Sequence, residues 1–531
     1  MIALLLQGCG EVPPEPASAP DPAPEADSIY TPLEAPRLLR RISLDLRGVL
    51  PSVDALDSVE ADPLLIDTYI DAYLDDPLHE ERLVHLFSEQ WHTRINMFEA
   101  EHKDFHLDDS LEFPFVRSVG QEPLRLLARI AVSDVPWSEI VMADYTMADT
   151  LLADIWPLDY PAGAQGWQAA TYTDGRPPAG VLATNGLWWR YVTSNSNKNR
   201  SRVAAISRLL LCEDYLERPV SFSETTGLSD AEIDAAISTD PGCVGCHVTI
   251  EPIAATLFGF WPAIGYSAYE MSTYHPEREL LGSLLLGVEP AWFGTPIEGL
   301  SDLGVHIAGD ARFYRCTAQR AAEGLWRRDS TLADFAVIED LRGALIAGEL
   351  RYRALLEAVL ETEAYRVGAV DPEADAELRY ATMTRRMMSP SQYAATLTSL
   401  TGFSWYDDGH DLMDGDVYGF RVMAGGVDGD LVTSPQQTPG LTWALVQKRL
   451  AEGSAVEAAS AGQFGELVLA GPPTRDELAA LWWQLYAERP SDAEIDDLAA
   501  LWAAGEAIGS EEQAWQVLIA AMLREPGFVV Y

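Results

Sequence analysis

Apolar residues recur along much of this chain at helical spacing. Ile66, Tyr69, Ile70, Tyr73 and Leu74 follow Asp62-Pro63, an N-cap and first-turn pair, and predict a helix. Leu83, Phe87, Trp91 and Ile95, at four-residue steps, predict the next. Thr474 with Glu477, Ser491 with Glu494 and Ser510 with Gln513 have the form of capping boxes, and each opens an apolar-periodic segment. Residues 474–531 therefore read as a three-helix unit, and Ser229 with Glu232 opens another short helix. Two stretches break the period. Residues 157–200, rich in Gly, Pro, Asn and aromatics, read as loops with a short strand, and 404–440, rich in Asp and Gly, are similar. An internal echo joins Ile70-x-Ala-Tyr-Leu, Leu356-x-Ala-Val-Leu and Ile519-x-Ala-Met-Leu. Tyr365 and Phe528 sit at matching distances after the last two, which points to related helical modules. The expected fold class is mainly α, several helical modules around one loop-rich segment. The expected division is 1–27, a leader and tether; 28–156, a helical domain; 157–270, a loop-rich region with a cysteine motif; 271–372, a helical module; and 373–531, a helical domain with an acidic Gly-rich loop.

Charge narrows the partners. The 531 residues carry 82 acidic against 36 basic side chains, a formal net charge of -46, and the lysines are Lys103, Lys198 and Lys448 alone. So acidic a surface repels phosphate backbones, which argues against nucleic acid and for basic proteins or cations. The plainer reading is adaptation for solubility. Apolar residues at 48% suffice for a sizeable core.

The first residues change the compartment. Met1 to Leu6 is apolar and runs into Leu6-Gln7-Gly8-Cys9, which resembles a bacterial lipoprotein signal whose cysteine becomes the lipidated first residue. The apolar run is shorter than a usual signal core of about 7–15 residues and lacks a basic start. Residues 11–27 are Pro, Ala and acid-rich and read as an extended tether. The expectation is an exported protein, periplasmic or associated with the outer membrane through a lipid on Cys9.

Five cysteines remain to be placed: Cys9, Cys212, Cys243, Cys246 and Cys316. Residues 243–247 read Cys-Val-Gly-Cys-His, the c-type haem attachment signature. Two thiols three positions apart on one helical turn reach the two haem vinyl groups as thioethers, and His247 follows as proximal iron ligand. A zinc site needs four ligands, which Cys212 and Cys316 would have to complete, and a thioredoxin-like motif needs a βαβ setting that the pattern lacks. Otherwise Cys212 and Cys316 are either a disulfide pair, suited to an oxidising compartment, or two buried thiols.

The motif continues into Thr249-Ile-Glu-Pro-Ile253 and Phe258-Gly-Phe-Trp-Pro-Ala-Ile-Gly265. This resembles the haem segment of the large planctomycete-type cytochrome c proteins. Ala179-Gly-Val-Leu-Ala-Thr184 and Asn199-Arg-Ser-Arg-Val-Ala-Ala-Ile-Ser-Arg-Leu-Leu210 are similar to that family's loop and helix before the haem. Arg40 to Gly48 and Leu50-Pro-Ser52 resemble its N-terminal module, and Phe313 to Cys316 and Leu523 to Phe528 its C-terminal modules. The resemblance touches most of the chain, and its specific part is the haem segment. Ala254 stands where the family pattern has Gly, and Trp261-Pro262 where it has an aromatic-Asp pair. What the resemblance implies is one covalent haem c and export, not a reaction.

Three functions follow from this reading. The first is an exported c-type haem protein transferring electrons at the cell envelope to a redox partner protein. The second is a haem-containing oxidoreductase, or a subunit of one, acting on a carbohydrate-like substrate near Trp167, Trp188 and Trp189. The third is a binding or scaffold lipoprotein with a structural haem. The sixth iron ligand separates carrier from catalyst. Met271 is the first candidate, with His275, His306, Met142 and Met147 after it. His85, His92, His102 and His106, the last two around Asp104, and the acidic loop Asp407, Asp408, Asp411, Asp414 and Asp416 near Gly409 and Gly415 read as solvated surface rather than metal sites. No nucleophile elbow, phosphate loop or dinucleotide fingerprint occurs.

Overall fold

The computed structural model describes residues 30–217, 229–262, 267–374, 382, 385–407, 410–415 and 418–531. Cys9 and the tether, Asp408, Gly409, Asp416 and the Ala263-Ile-Gly265 end of the family-like segment lie outside the described residues. The fold is mainly α, 61% helix and 7% strand.

Two large cores and one small one organise it. The first core joins the helices Ala35–Arg47, Pro77–Trp91, Glu112–Val132, Arg200–Leu210, Ala311–Trp326, Phe335–Ala347 and Tyr352–Glu361. The three segments expected between residues 28 and 372 thus contribute to one common interior, with Leu39, Leu127, Val203, Leu257, Leu303 and Leu360 all buried in it. The second core holds Pro390–Thr401, Leu441–Ala461, Arg475–Tyr486, Asp492–Ile508 and Glu511–Met522. The first helix serves both. Its Leu38, Leu39, Ile42 and Leu46 face the first core, while Leu44, with Leu50 just beyond, belongs to the second.

Local rules explain most boundaries. All three expected capping boxes close, at Thr474/Glu477, Ser491/Glu494 and Ser510/Gln513, and each opens its helix, but the three helices share the second core with Pro390–Thr401 and Leu441–Ala461 rather than forming a unit of their own. Asp62 caps a short 3₁₀ turn, Pro63–Leu65, before the helix Ile66–Leu74. The helix through Leu83 and Phe87 ends at Trp91, because His92 takes a left-handed φ of 54°, and Ile95 lies beyond it. Residues 157–200 are more ordered than a loop reading allows. Gln168–Tyr172 pairs antiparallel with both Thr146–Ala148 and Leu158–Asp159, and a helix spans Asn185–Arg190. That helix lies so close to Glu112–Val132 that a Cβ on Gly186 would stand 2.2 Å from the Val119 carbonyl oxygen, so only glycine fits. Of the aromatics expected as a substrate platform, Trp188 and Trp189 are core residues, each 2% exposed. Their indole N–H groups donate to the carbonyls of Leu182 and Met271.

Candidate functional site

The cysteine motif sits on the helix Pro241–Ala254. Asp240 ends the preceding helix, Asp230–Thr239, and caps this one by accepting from the Gly242 N–H at 2.8 Å, with Pro241 in the first turn. Ile250, Ile253 and Ala254 drive one side of the helix into the first core, and Cys246 packs partly against it. Cys243, Cys246 and His247 are half-buried, at helical positions i, i+3 and i+4, beside Val248, which is 64% exposed. Pro241–Phe260 is long and apolar enough to cross a membrane, with mean hydropathy 1.4, but 56% of it is buried within the protein.

The imidazole of His247 is already oriented. Its Nδ1 lies 2.6 Å from Glu251 Oε1, one turn on. Arg200 donates from Nε to Oε1 at 2.6 Å and from Nη2 to Oε2 at 3.2 Å. A carboxylate only accepts, so Nδ1 carries the proton and Nε2 keeps its lone pair for a ligand bond. Burial works to raise the Glu251 pKa, but the hydrogen bonds from His247 and Arg200 outweigh it and hold the carboxyl below its usual range. The Cys243 thiol is pushed up, by burial first and then by the charge of Asp240 and by Cys246. The motif helix packs against the helices Asp230–Thr239 and Arg200–Leu210, not in the βαβ setting that a thioredoxin-like exchange site needs. The donor set fits haem c instead: two thiols one turn apart and an imidazole with Nε2 free.

The other candidates are scattered. Cys212 and Cys316 form a disulfide with Cα atoms 5.2 Å apart, so they complete no zinc site with the motif. Met271, in the short helix Ala268–Ser272, packs into the third core with Phe98 and Trp189. His275 is buried between Glu270, 3.8 Å from Nε2, and Glu277, 3.2 Å from Nδ1. His306 is half-buried in the last turn of Leu300–Ala308. Met142 and Met147 belong to the first core. Among the histidines, His85 meets Arg94 at 3.2 Å, and desolvation and that guanidinium push it down to about 3. His92 donates to Thr433 O, His102 pairs with Asp109, and His106 is exposed. Among the described residues no group of three or more His, Cys, Asp or Glu could hold a metal ion. Asp407 is exposed, Asp411 caps its own turn through the N–H groups of Met413 and Asp414, and Asp414 is paired with Arg94 and Arg117.

The Glu251–Arg200 clamp was not singled out from the sequence. Its half on the motif helix was legible, since Glu251 stands four residues after His247, but its partner comes from a helix 51 residues earlier. No protein-family model matches the chain, and neither a curated protein nor a solved structure does.

Proposed function

We propose that this chain is an exported c-type haem protein that transfers electrons at the bacterial cell envelope, akin to the planctomycete-type cytochrome c proteins. The observation that carries the reading is the attachment triplet on one helix, with the His247 ring fixed by Glu251 and Arg200 so that Nε2 is free. Cys243 and Cys246 would hold one haem through thioethers, and His247 would be its proximal ligand. Bound there, the haem supplies a one-electron iron couple whose potential the protein tunes. Glu251 keeps the proton on Nδ1 and stops the ring from rotating, and Arg200 stops the carboxylate from moving. The acidic surface suits a basic redox partner. The same proposal includes a lipid anchor on Cys9.

The test is expression in an oxidising compartment with a c-type maturation system. The expected product keeps its haem through acid–acetone extraction and stains for peroxidase activity on a denaturing gel. Cys243→Ala and Cys246→Ala each lose one thioether, and Cys9→Ser releases the chain from membranes. Haem that extracts freely, or none at all, overturns the reading.

A further inference from the structure

A cavity of about 500 Å³ opens where the start of the helix Glu112–Val132 meets the strands Tyr406–Asp407 and His410–Asp411, with Asp414, Gly415 and Arg421 beside them. That is within the range of small-molecule sites, roughly 300–1,000 Å³. Three aromatic rings line it: Phe113, Trp167 and Tyr406. Trp167 is held by the Arg125 guanidinium over its ring at 5.2 Å, Phe113 by the edge of His410 at 4.2 Å, and Tyr406 stands at the rim, 60% exposed.

The polar lining is charge-balanced. Arg94, Arg117 and Arg421 line it together with Asp149, Asp411 and Asp414. Asp414 binds Arg94 at 2.9 Å and Arg117 at 3.0 Å. Burial tends to raise its carboxyl, but the two guanidiniums hold it below the usual carboxylate range. Asp149 is fixed by the Ser118 hydroxyl at 2.5 Å and by the Leu152 N–H at 2.9 Å.

Balanced charges offer no net attraction to an anion or a cation, and fixed ion pairs would be stripped of water by an apolar ligand at a cost. What fits is a neutral molecule with many hydroxyls. Each hydroxyl can donate to a carboxylate and accept from a guanidinium, while flat aliphatic faces rest on the rings. From this geometry we propose that the cavity is a binding site for a neutral oligosaccharide, formed jointly by the N-terminal and C-terminal parts of the chain. Trp167 is the central platform, Tyr406 the outer one, and Asp149 and Asp411 are the acceptors. The site stands on its own lining and does not depend on haem attachment.

The test is titration calorimetry on the full chain with maltotriose, cellotriose and xylotriose, with trigalacturonate as the charged control. At least one neutral trisaccharide should bind with Kd about 1 mM or tighter. That affinity should change little when salt is raised about tenfold, since no net charge is neutralised. Trp167→Ala should weaken binding by about tenfold or more. Tyr406→Ala, at an exposed position that leaves folding intact, should weaken it in the same direction. The proposal is overturned if none of the neutral trisaccharides binds, if trigalacturonate alone binds with steep salt dependence, or if Tyr406→Ala in a protein with unchanged melting behaviour binds as the parent does.

Discussion

The carboxylate of Asp45, in the first described helix, accepts a hydrogen bond at 2.5 Å from the phenol of Tyr531, 486 residues away. Tyr365 donates to the same carboxylate at 3.0 Å and Arg386 at 3.1 Å, and Asp45 and Arg386 are both buried. The neighbours of Asp45 extend this tie. Arg41 donates to the carbonyl of Tyr365 at 2.6 Å, and Arg40 to the carbonyl of Phe528 at 2.6 Å. Tyr365 and Phe528 are the two residues placed in register by the internal echo, and both are fully buried in short terminal turns, Glu363–Arg366 and Pro526–Val529.

Removing Asp45 leaves Arg386 buried without its counter-charge. Asp45→Ala should cost about 3–5 kcal/mol, the usual penalty for breaking a buried pair from one side. Urea unfolding measures it. A loss below about 1 kcal/mol would mean that water reaches Arg386.

The Cys212–Cys316 disulfide closes a loop of 104 residues in sequence separation. In the chain-entropy account such a loop is worth on the order of 4–5 kcal/mol. The double variant Cys212→Ser, Cys316→Ser should unfold at correspondingly lower urea, and reducing the native protein should give the same shift.

Glu122 gives a pH dependence with a defined sign. It is fully buried and accepts from Thr146 at 2.8 Å, Tyr172 at 2.6 Å and the Gly186 N–H at 2.7 Å. Burial raises its carboxyl to about 7, and these hydrogen bonds only partly offset that. The folded state therefore keeps a proton that the unfolded chain releases near its ordinary value of 4.5. This contribution is complete below about 4.5 and is lost as pH rises through about 7, on the order of a few kcal/mol. Glu122→Gln imitates the protonated acid, with its amide donating to the two hydroxyls. Melting curves from acid to alkaline pH should show that the variant lacks this decline. Parallel curves for parent and variant would refute the assignment.

In the haem-loaded protein, Glu251→Gln should raise the midpoint potential by some tens of millivolts. With His247 as proximal ligand of the proposed haem, the anionic carboxylate would strengthen the imidazole as a donor and favour the oxidised iron, and a neutral amide would do so less. Redox titration with optical detection measures the change. An unchanged potential, with the covalent haem present, would remove Glu251 from this role and leave haem attachment standing.

How far the sequence leads depends on the range of the interactions. Capping boxes are local, so Thr474, Ser491 and Ser510 announce their helices correctly. The cysteine motif is local too, spanning one turn from Cys243 to His247. The Arg200–Glu251 clamp and the cavity are not, since Trp167, Arg117 and Asp411 meet only once distant segments have packed. Trp188 and Trp189 mislead for the complementary reason. A run of aromatics beside glycines looks the same whether it lines a surface cleft or fills an interior, and Gly186 draws this run inward against Val119.

The shared first helix has a consequence for the order of assembly. Leu38 and Leu39 complete one interior and Leu44 the other, and Arg40, Arg41 and Asp45 bind residues 320 to 488 positions away. An early-synthesised segment must therefore wait, with its apolar and charged groups unpartnered, until residues near 365 and 530 have arrived. Contacts this remote slow folding and lengthen the exposure of sticky intermediates. On the proposed reading, in which the chain is exported and loaded with haem, this delay would keep the segment around Cys243 and Cys246 open while the thioethers form.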